Sequence, residues 1–179
     1  IVPGNHDLAR GEKSSVNAIM EKYTHGCDDF LPEDRKYLTD RFGFFQRVNR
    51  LLYKEKSIWP EDLSPLHFYR CCEDYNLLYL NTAVMCGGEK DRGHLIIGAG
   101  SLYPLLEKIK KENPSAPIVV LAHHAPEYFN DHERRNTEAL FRENNVRLYL
   151  CGDAHSIWFR KTNNHLEITM GCLSGNEKG

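Results

Sequence analysis

Three short clusters carry side chains of the kinds that bind metal ions or move protons: Gly4-Asn5-His6-Asp7, His123-His124-Ala125-Pro126 and Gly152-Asp153-Ala154-His155. Asn5 offers a neutral amide oxygen, which suits a hard or borderline divalent cation. If Asn5 points at a metal, His6 is free to point at a substrate, where an imidazole stabilises developing charge or protonates a leaving oxygen. Asp7 could hold that imidazole in one tautomer, or the tetrapeptide could be a turn whose polar groups cap the backbone. Two histidines in succession point to opposite faces if a strand continues through them. One of His123 and His124 therefore faces a site; the His-x-Pro spacing favours His124, with His123 as the alternative. Asp153 and His155, two residues apart, share a face in extended backbone and can reach one ion. Together the clusters point to metal-dependent phosphoester chemistry.

Each cluster follows a short apolar run: Ile1-Val2, Ile118 to Ala122, and Arg147 to Cys151. Side chains just beyond the ends of buried strands converge on one site even when far apart in sequence. Pro32 with Glu33 and Asp34 reads as a helix start. Leu38, Phe42, Phe45, Val48 and Leu52 then make one apolar helix face that runs through Gly43. Residues 67–84 read as two strands around Asp74-Tyr75-Asn76, and 85–100 as a glycine-rich loop or hairpin. Further on come a helix over 102–112, a strand from Ile118, a helix over 132–144 with Ala139-Leu140 inward, a strand over 146–151 and a last strand over 165–170. Strands alternating with helices make an α/β architecture, with helices covering a sheet.

At 179 residues the chain has the length of a single domain, expected to span 1–179 with a helical insertion at about 30–56. A formal net charge of −2 argues against a broad electrostatic grip on nucleic acid. The small basic clusters at 132–135 and 160–161 read as solvated surface. There is no apolar stretch of membrane-spanning length and no signal-peptide anatomy. None of the six cysteines forms a Cys-x-x-Cys pair, so a zinc ribbon or thioredoxin-like site is not expected. Cys151 and Cys172 sit in apolar runs as small buried hydrophobes, and a reducing cytoplasm is the expected compartment.

These residues resemble the calcineurin-like metallophosphoesterase family. Gly4-Asn5-His6-Asp7 matches its Gly-Asn-His-Asp/Glu motif, His124 stands where its single-histidine motif lies, and Gly152-Asp153-Ala154-His155 is similar to its Gly-His-x-His motif. The resemblance runs over nearly the whole chain and includes Leu80-Asn81-Thr82 after a strand. It implies two packed mixed sheets flanked by helices. It also implies a dinuclear centre of manganese, iron, zinc or nickel, at which a metal-bound hydroxide attacks phosphorus in line. By the same resemblance, Asn5 and His124 bind one metal, His155 binds the other, and His6 with Asp7 acts on the transition state or leaving group.

The sequence departs from the family pattern in two ways. The Asp-x-His and Gly-Asp-x-x-Asp motifs that open the family are not found ahead of Gly4. The expectation is therefore a fragment lacking its first strands, weak in metal binding and inactive alone. Asp153 also stands where the family has histidine; as a ligand its carboxylate would tilt preference toward manganese, magnesium or iron and away from zinc, with manganese favoured. That substitution supports an alternative, a degenerate fold kept as a binding or regulatory module. The substrate class (phosphorylated small molecule, nucleotide or nucleic acid), the choice between mono- and diesters, and any fused domains are not legible.

Overall fold

The computed structural model describes residues 2–9, 13–23, 30–53, 66–87, 91–154 and 156–170. Helices α1 (Lys13–Lys22), α2 (Pro32–Asp40) and α3 (Gly43–Tyr53) precede the hairpin β1 (Phe68–Cys71) and β2 (Asn76–Tyr79). Then come α4 (Leu102–Glu112), β3 (Ile118–Leu121), α5 (Asp131–Glu143), β4 (Val146–Cys151), β5 (Trp158–Lys161) and β6 (Leu166–Thr169). The strands form one six-stranded sheet in the order β1-β2-β3-β4-β6-β5. The inner strands β2, β3, β4 and β6 run parallel, and β1 and β5 close the two edges antiparallel. This is a mixed α/β architecture with flanking helices. Of the two packed sheets that the resemblance implies, the described residues hold one.

Helices α4 and α5 pack on one sheet face. Asn130 caps α5, its side chain accepting from the Glu133 N–H at 2.8 Å, and Asp131 and Glu133 add negative charge to the first turn. The inward residues of α5 are Glu133, Thr137 and Phe141. The expected pair Ala139-Leu140 lies to the side, because spacings of four set the inner line on this helix. Phe141 meets Tyr149 of β4 at 6.0 Å between ring centroids, and α4 buries Leu102, Leu106 and Ile109. On the covered face Leu78, Val120 and Tyr149 are wholly buried. On the other face Leu77, Val119, Leu121, Leu148, Leu150, Leu166 and Ile168 are apolar but only half-buried.

Two readings of the sequence change. The single long helix expected from Leu38 to Leu52 is two helices, broken at Arg41-Phe42. Leu38, Phe42 and Phe45 are buried as the stripe requires, but Leu52 is exposed. The break places the buried Arg41 guanidinium among three main-chain carbonyls, those of Ala9, Val84 and Cys86, while its own carbonyl accepts from the Ala9 N–H at 2.7 Å. The edge strand β5 was not anticipated. Phe159, Arg160 and Lys161 are all exposed, so no burial period marks the strand. Residues 85–87 and 91–100 make a loop and no hairpin. Leu95 forms an isolated parallel bridge with Phe129, and Leu95, Ile96 and Ile97 are buried. Cys71, Cys72, Cys86 and Cys151 are free thiols, Cys151 being buried as expected; Cys27 and Cys172 lie outside the described residues.

Candidate metal centre

The parallel strands deliver their following residues to the C-terminal end of the sheet. The ladder continues past the strand ends, with Ala122 N–H donating to the Leu150 carbonyl and Gly152 N–H to the His123 carbonyl, both at 2.9 Å. His123 and His124 still alternate as strand residues. His123 is half-buried and turns toward Asn5 and Asp153, whereas His124 is buried, with its ring packed edge-to-face on that of His123 at 4.6 Å.

The Gly4–Asp7 turn lies against His123. His123 Nε2 is 3.2 Å from Asn5 Oδ1 and 3.3 Å from Asp153 Oδ1. Asp153 follows the end of β4 in a left-handed conformation, φ 64°, which Asp tolerates better than most residues. The Tyr128 hydroxyl hydrogen-bonds to Asp153, and that bond together with burial pushes the phenol up to about 12. Burial lowers the His123 pKa against the opposing pull of Asp153 and Asp7, which favours the neutral imidazole that a metal requires. His123, His124 and Asp153 each offer one ligand atom within 4.8 Å of the others.

The spacing of these donors tests whether a metal fits. Two ligands bonded to one ion at about 2.0–2.2 Å and at 90–109° to each other lie roughly 3.0–3.5 Å apart. The contacts of His123 Nε2 with the Asn5 and Asp153 oxygens, 3.2 and 3.3 Å, fall in that window. Among the described residues no lysine or arginine pairs with Asp153. One imidazole and two oxygens suit a borderline divalent ion.

The remaining candidates fall as follows. His6 is exposed at the rim of the turn, close enough to influence the charge on His123. Asp7 closes the turn, its Oδ2 accepting from the Gly4 N–H at 2.9 Å while its own N–H donates to the Gly4 carbonyl at 3.1 Å. Its hydrogen-bond partner is therefore the backbone, and not His6. His155 lies outside the described residues. His124 Nδ1 is 3.0 Å from Thr82 Oγ1, and its Nε2 is 3.6 Å from Cys86 Sγ. Asn5 and Asp153 thus each approach His123 Nε2, and the His124 ring packs on that of His123. Sequence reasoning missed Tyr128 and Cys86. A tyrosine four residues after His124 and a cysteine in a loop have no spacing signature, and only the fold brings them here.

The chain matches the family model for calcineurin-like phosphoesterases over residues 1–156. It is 25% identical over 195 residues to the "Uncharacterized metallophosphoesterase-like protein YydB" of Bacillus subtilis, an alignment that covers 99% of this chain and 38% of the relative. The chain therefore spans about two fifths of that relative's length. No solved structure matches. Among the described residues no helix is long and apolar enough to cross a membrane. The family match over most of the chain agrees with the strand-end histidine and carboxylate, and the chain belongs to the calcineurin-like phosphoesterase family.

Proposed function

We propose that the protein is a metal-dependent phosphoester hydrolase in which Asn5, His123 and Asp153 hold a divalent cation and His6 acts on the substrate. The observation that carries this reading is the approach of Asn5 Oδ1 and Asp153 Oδ1 to His123 Nε2, at 3.2 and 3.3 Å. Two divalent ions, when bound, would supply charge neutralisation at the phosphoryl oxygens and a more acidic water. Two oxygen donors beside one imidazole favour manganese over zinc.

The chain's own residues prepare the site. Gly4 allows the turn to lie directly on the His123 ring, and Asp7 fixes that turn through the Gly4 N–H. Tyr128 aims the Asp153 carboxylate by donating to it. His6, exposed beside the donor set, is placed to give a hydrogen bond or a proton to the departing oxygen of a phosphomonoester or phosphodiester. A second reading, a binding or regulatory module, draws on one observation: the Asp153 carboxylate already has partners in His123 and Tyr128.

The test uses Mn²⁺ and orthophosphate, the common product. The hydrolase reading expects Mn²⁺ binding, followed by electron paramagnetic resonance, that is lost in His123→Ala and Asp153→Ala. It also expects phosphate to bind only to the Mn²⁺-loaded protein, and more weakly in His6→Ala. Mn²⁺ binding with no phosphate binding would favour the module. Mn²⁺ binding unaffected by His123→Ala would reject the site.

A further inference from the structure

We propose that Arg41 is a positioning residue for the metal site: its guanidinium ties the segment that follows the Gly4–Asp7 turn to the 82–86 turn that holds His124, and so sets where Asn5 meets His123. The consequence for metal binding rests on the metal-site reading; the tie itself does not.

The bonds inside the Gly4–Asp7 turn are local, between Gly4 and Asp7, and they fix its shape but not its place against the sheet. Its place is set by what holds the residues that follow. Leu8 is buried, and Ala9 is bonded to Arg41 in both directions: the Ala9 N–H donates to the Arg41 carbonyl at 2.7 Å, and Arg41 Nε donates to the Ala9 carbonyl at 3.3 Å. The other two guanidinium nitrogens reach a different segment. Nη1 donates to the Val84 carbonyl at 3.4 Å and Nη2 to the Cys86 carbonyl at 2.5 Å. Those carbonyls belong to a turn closed by the Cys86 N–H on the Ala83 carbonyl at 3.0 Å. That turn holds the third cluster member in place, since Thr82 Oγ1 accepts from the His124 main-chain N–H at 3.0 Å and Cys86 Sγ lies 3.6 Å from His124 Nε2. The His124 N–H belongs to the peptide bond it shares with His123. Arg41 thus bridges the main chain on both sides of the 3.2 Å contact between Asn5 Oδ1 and His123 Nε2.

The residue type fits this task. A guanidinium is planar and holds its donors in a fixed fork, so three carbonyls bound to it cannot shift independently. Bonds from a charged donor are stronger than neutral ones. Arg41 is 6% exposed, so water does not replace a carbonyl that is let go. The break between α2 and α3 falls at Arg41-Phe42 and turns the side chain inward. A lysine would keep the charge but is a point donor on a flexible stem, and cannot span both segments.

The test compares Arg41→Lys with Asn76→Ala. Asn76 is also buried and also donates to main-chain carbonyls, those of Asn113 and Ala116, both at 3.2 Å, but at the start of β2, the opposite end of the sheet from His123. The first readout is ¹H–¹⁵N correlation spectroscopy of the histidine rings in metal-free protein, assigned by His123→Ala and His165→Gln. Arg41→Lys should move the His123 signals and leave those of the buried His165 in place; Asn76→Ala should leave His123 in place. The second is Mn²⁺ affinity, followed by electron paramagnetic resonance. It should fall about tenfold or more in Arg41→Lys, the range for loss of support behind a ligand, and stay at the wild-type value in Asn76→Ala. Unmoved His123 signals or wild-type Mn²⁺ affinity in Arg41→Lys, or equal weakening by both variants, overturns the proposal. If Arg41→Lys does not fold, hydrogen exchange of the wild type decides. The Ala9 side chain is exposed, yet its N–H should be protected; exchange at the rate of an open amide overturns the proposal. Moved His123 signals in a protein that binds no Mn²⁺ even as wild type would support the tie and reject the metal-site reading.

Discussion

Gly4 and Gly152 both sit beside the His123 ring, and the structure predicts opposite outcomes for adding a methyl group at each. Neither glycine has a left-handed φ, so alanine is acceptable to both backbones and contact alone decides. A Cβ on Gly4 would lie 2.9 Å from His123 Cε1 and Nδ1 and 3.2 Å from Cγ. Carbon atoms in comfortable contact lie about 3.5–4.0 Å apart, so the ring must retreat by roughly 0.6 Å. Asn5 neighbours Gly4 in the turn, so retreat stretches the 3.2 Å contact of Nε2 with Asn5 Oδ1 beyond hydrogen-bond range. Overpacking of this kind costs about 1–3 kcal/mol, and a misaimed ligand costs about 10–100-fold in metal affinity. A Cβ on Gly152 would lie 3.8 Å from the His123 carbonyl and 3.9 Å from Nδ1, ordinary contact, and should change stability by no more than about 0.5 kcal/mol. Thermal unfolding and Mn²⁺ titration of Gly4→Ala and Gly152→Ala measure both effects. Equal damage by the two substitutions, or wild-type Mn²⁺ affinity in Gly4→Ala, would refute the reasoning.

Three other outcomes are expected. Burial pushes the His124 pKa from its ordinary 6.5 down to about 4, so the unfolded chain takes up a proton that the folded one refuses. The associated stability is fully present above pH 6.5 and is lost as pH falls toward 4; urea unfolding at pH 7 and pH 4.5 should show this loss, and His124→Gln should reduce it. Arg41→Met strips hydrogen bonds from the carbonyls of Ala9, Val84 and Cys86 and should cost about 2–4 kcal/mol in denaturant unfolding. Asp153→Asn should keep the thermal stability of the parent, since asparagine tolerates the left-handed φ of 64°, while Asp153→Ala pays about 1 kcal/mol more for the same backbone; both should bind Mn²⁺ more weakly.

Parts of the fold were legible because burial imposed a period on the residues. Ile118–Leu121 and Val146–Cys151 are apolar runs bounded by turns, and α4 repeats Leu102, Leu106 and Ile109 on one face; the strands and helix lie where those patterns put them. The break between α2 and α3 was hidden because the stripe through Leu38, Phe42 and Phe45 persists across it, while its cause, Arg41 reaching three distant carbonyls, is a tertiary contact. Strand β5 was hidden because an edge strand with its outward residues in solvent needs no apolar alternation. At the site, the alternation of strand residues leaves one of two adjacent histidines to face a metal. Which one depends on the register of β3 and β4 and on where the Gly4–Asp7 turn comes to rest, and the structure puts Asn5 against His123. The Asp7 side chain reads equally well as a partner for His6 or as a turn cap; its bond to the Gly4 N–H is a matter of local geometry that residue types do not encode.

The central claim is that Asn5, His123 and Asp153 are ligands of one divalent ion. Anomalous diffraction from crystals of the protein grown with Mn²⁺, recorded at the manganese edge, tests it most directly. A peak within about 2.0–2.3 Å of Asn5 Oδ1, His123 Nε2 and Asp153 Oδ1 is the predicted result. Manganese bound elsewhere on the protein, with His123 Nε2 still held between the two oxygens by hydrogen bonds alone, would contradict it.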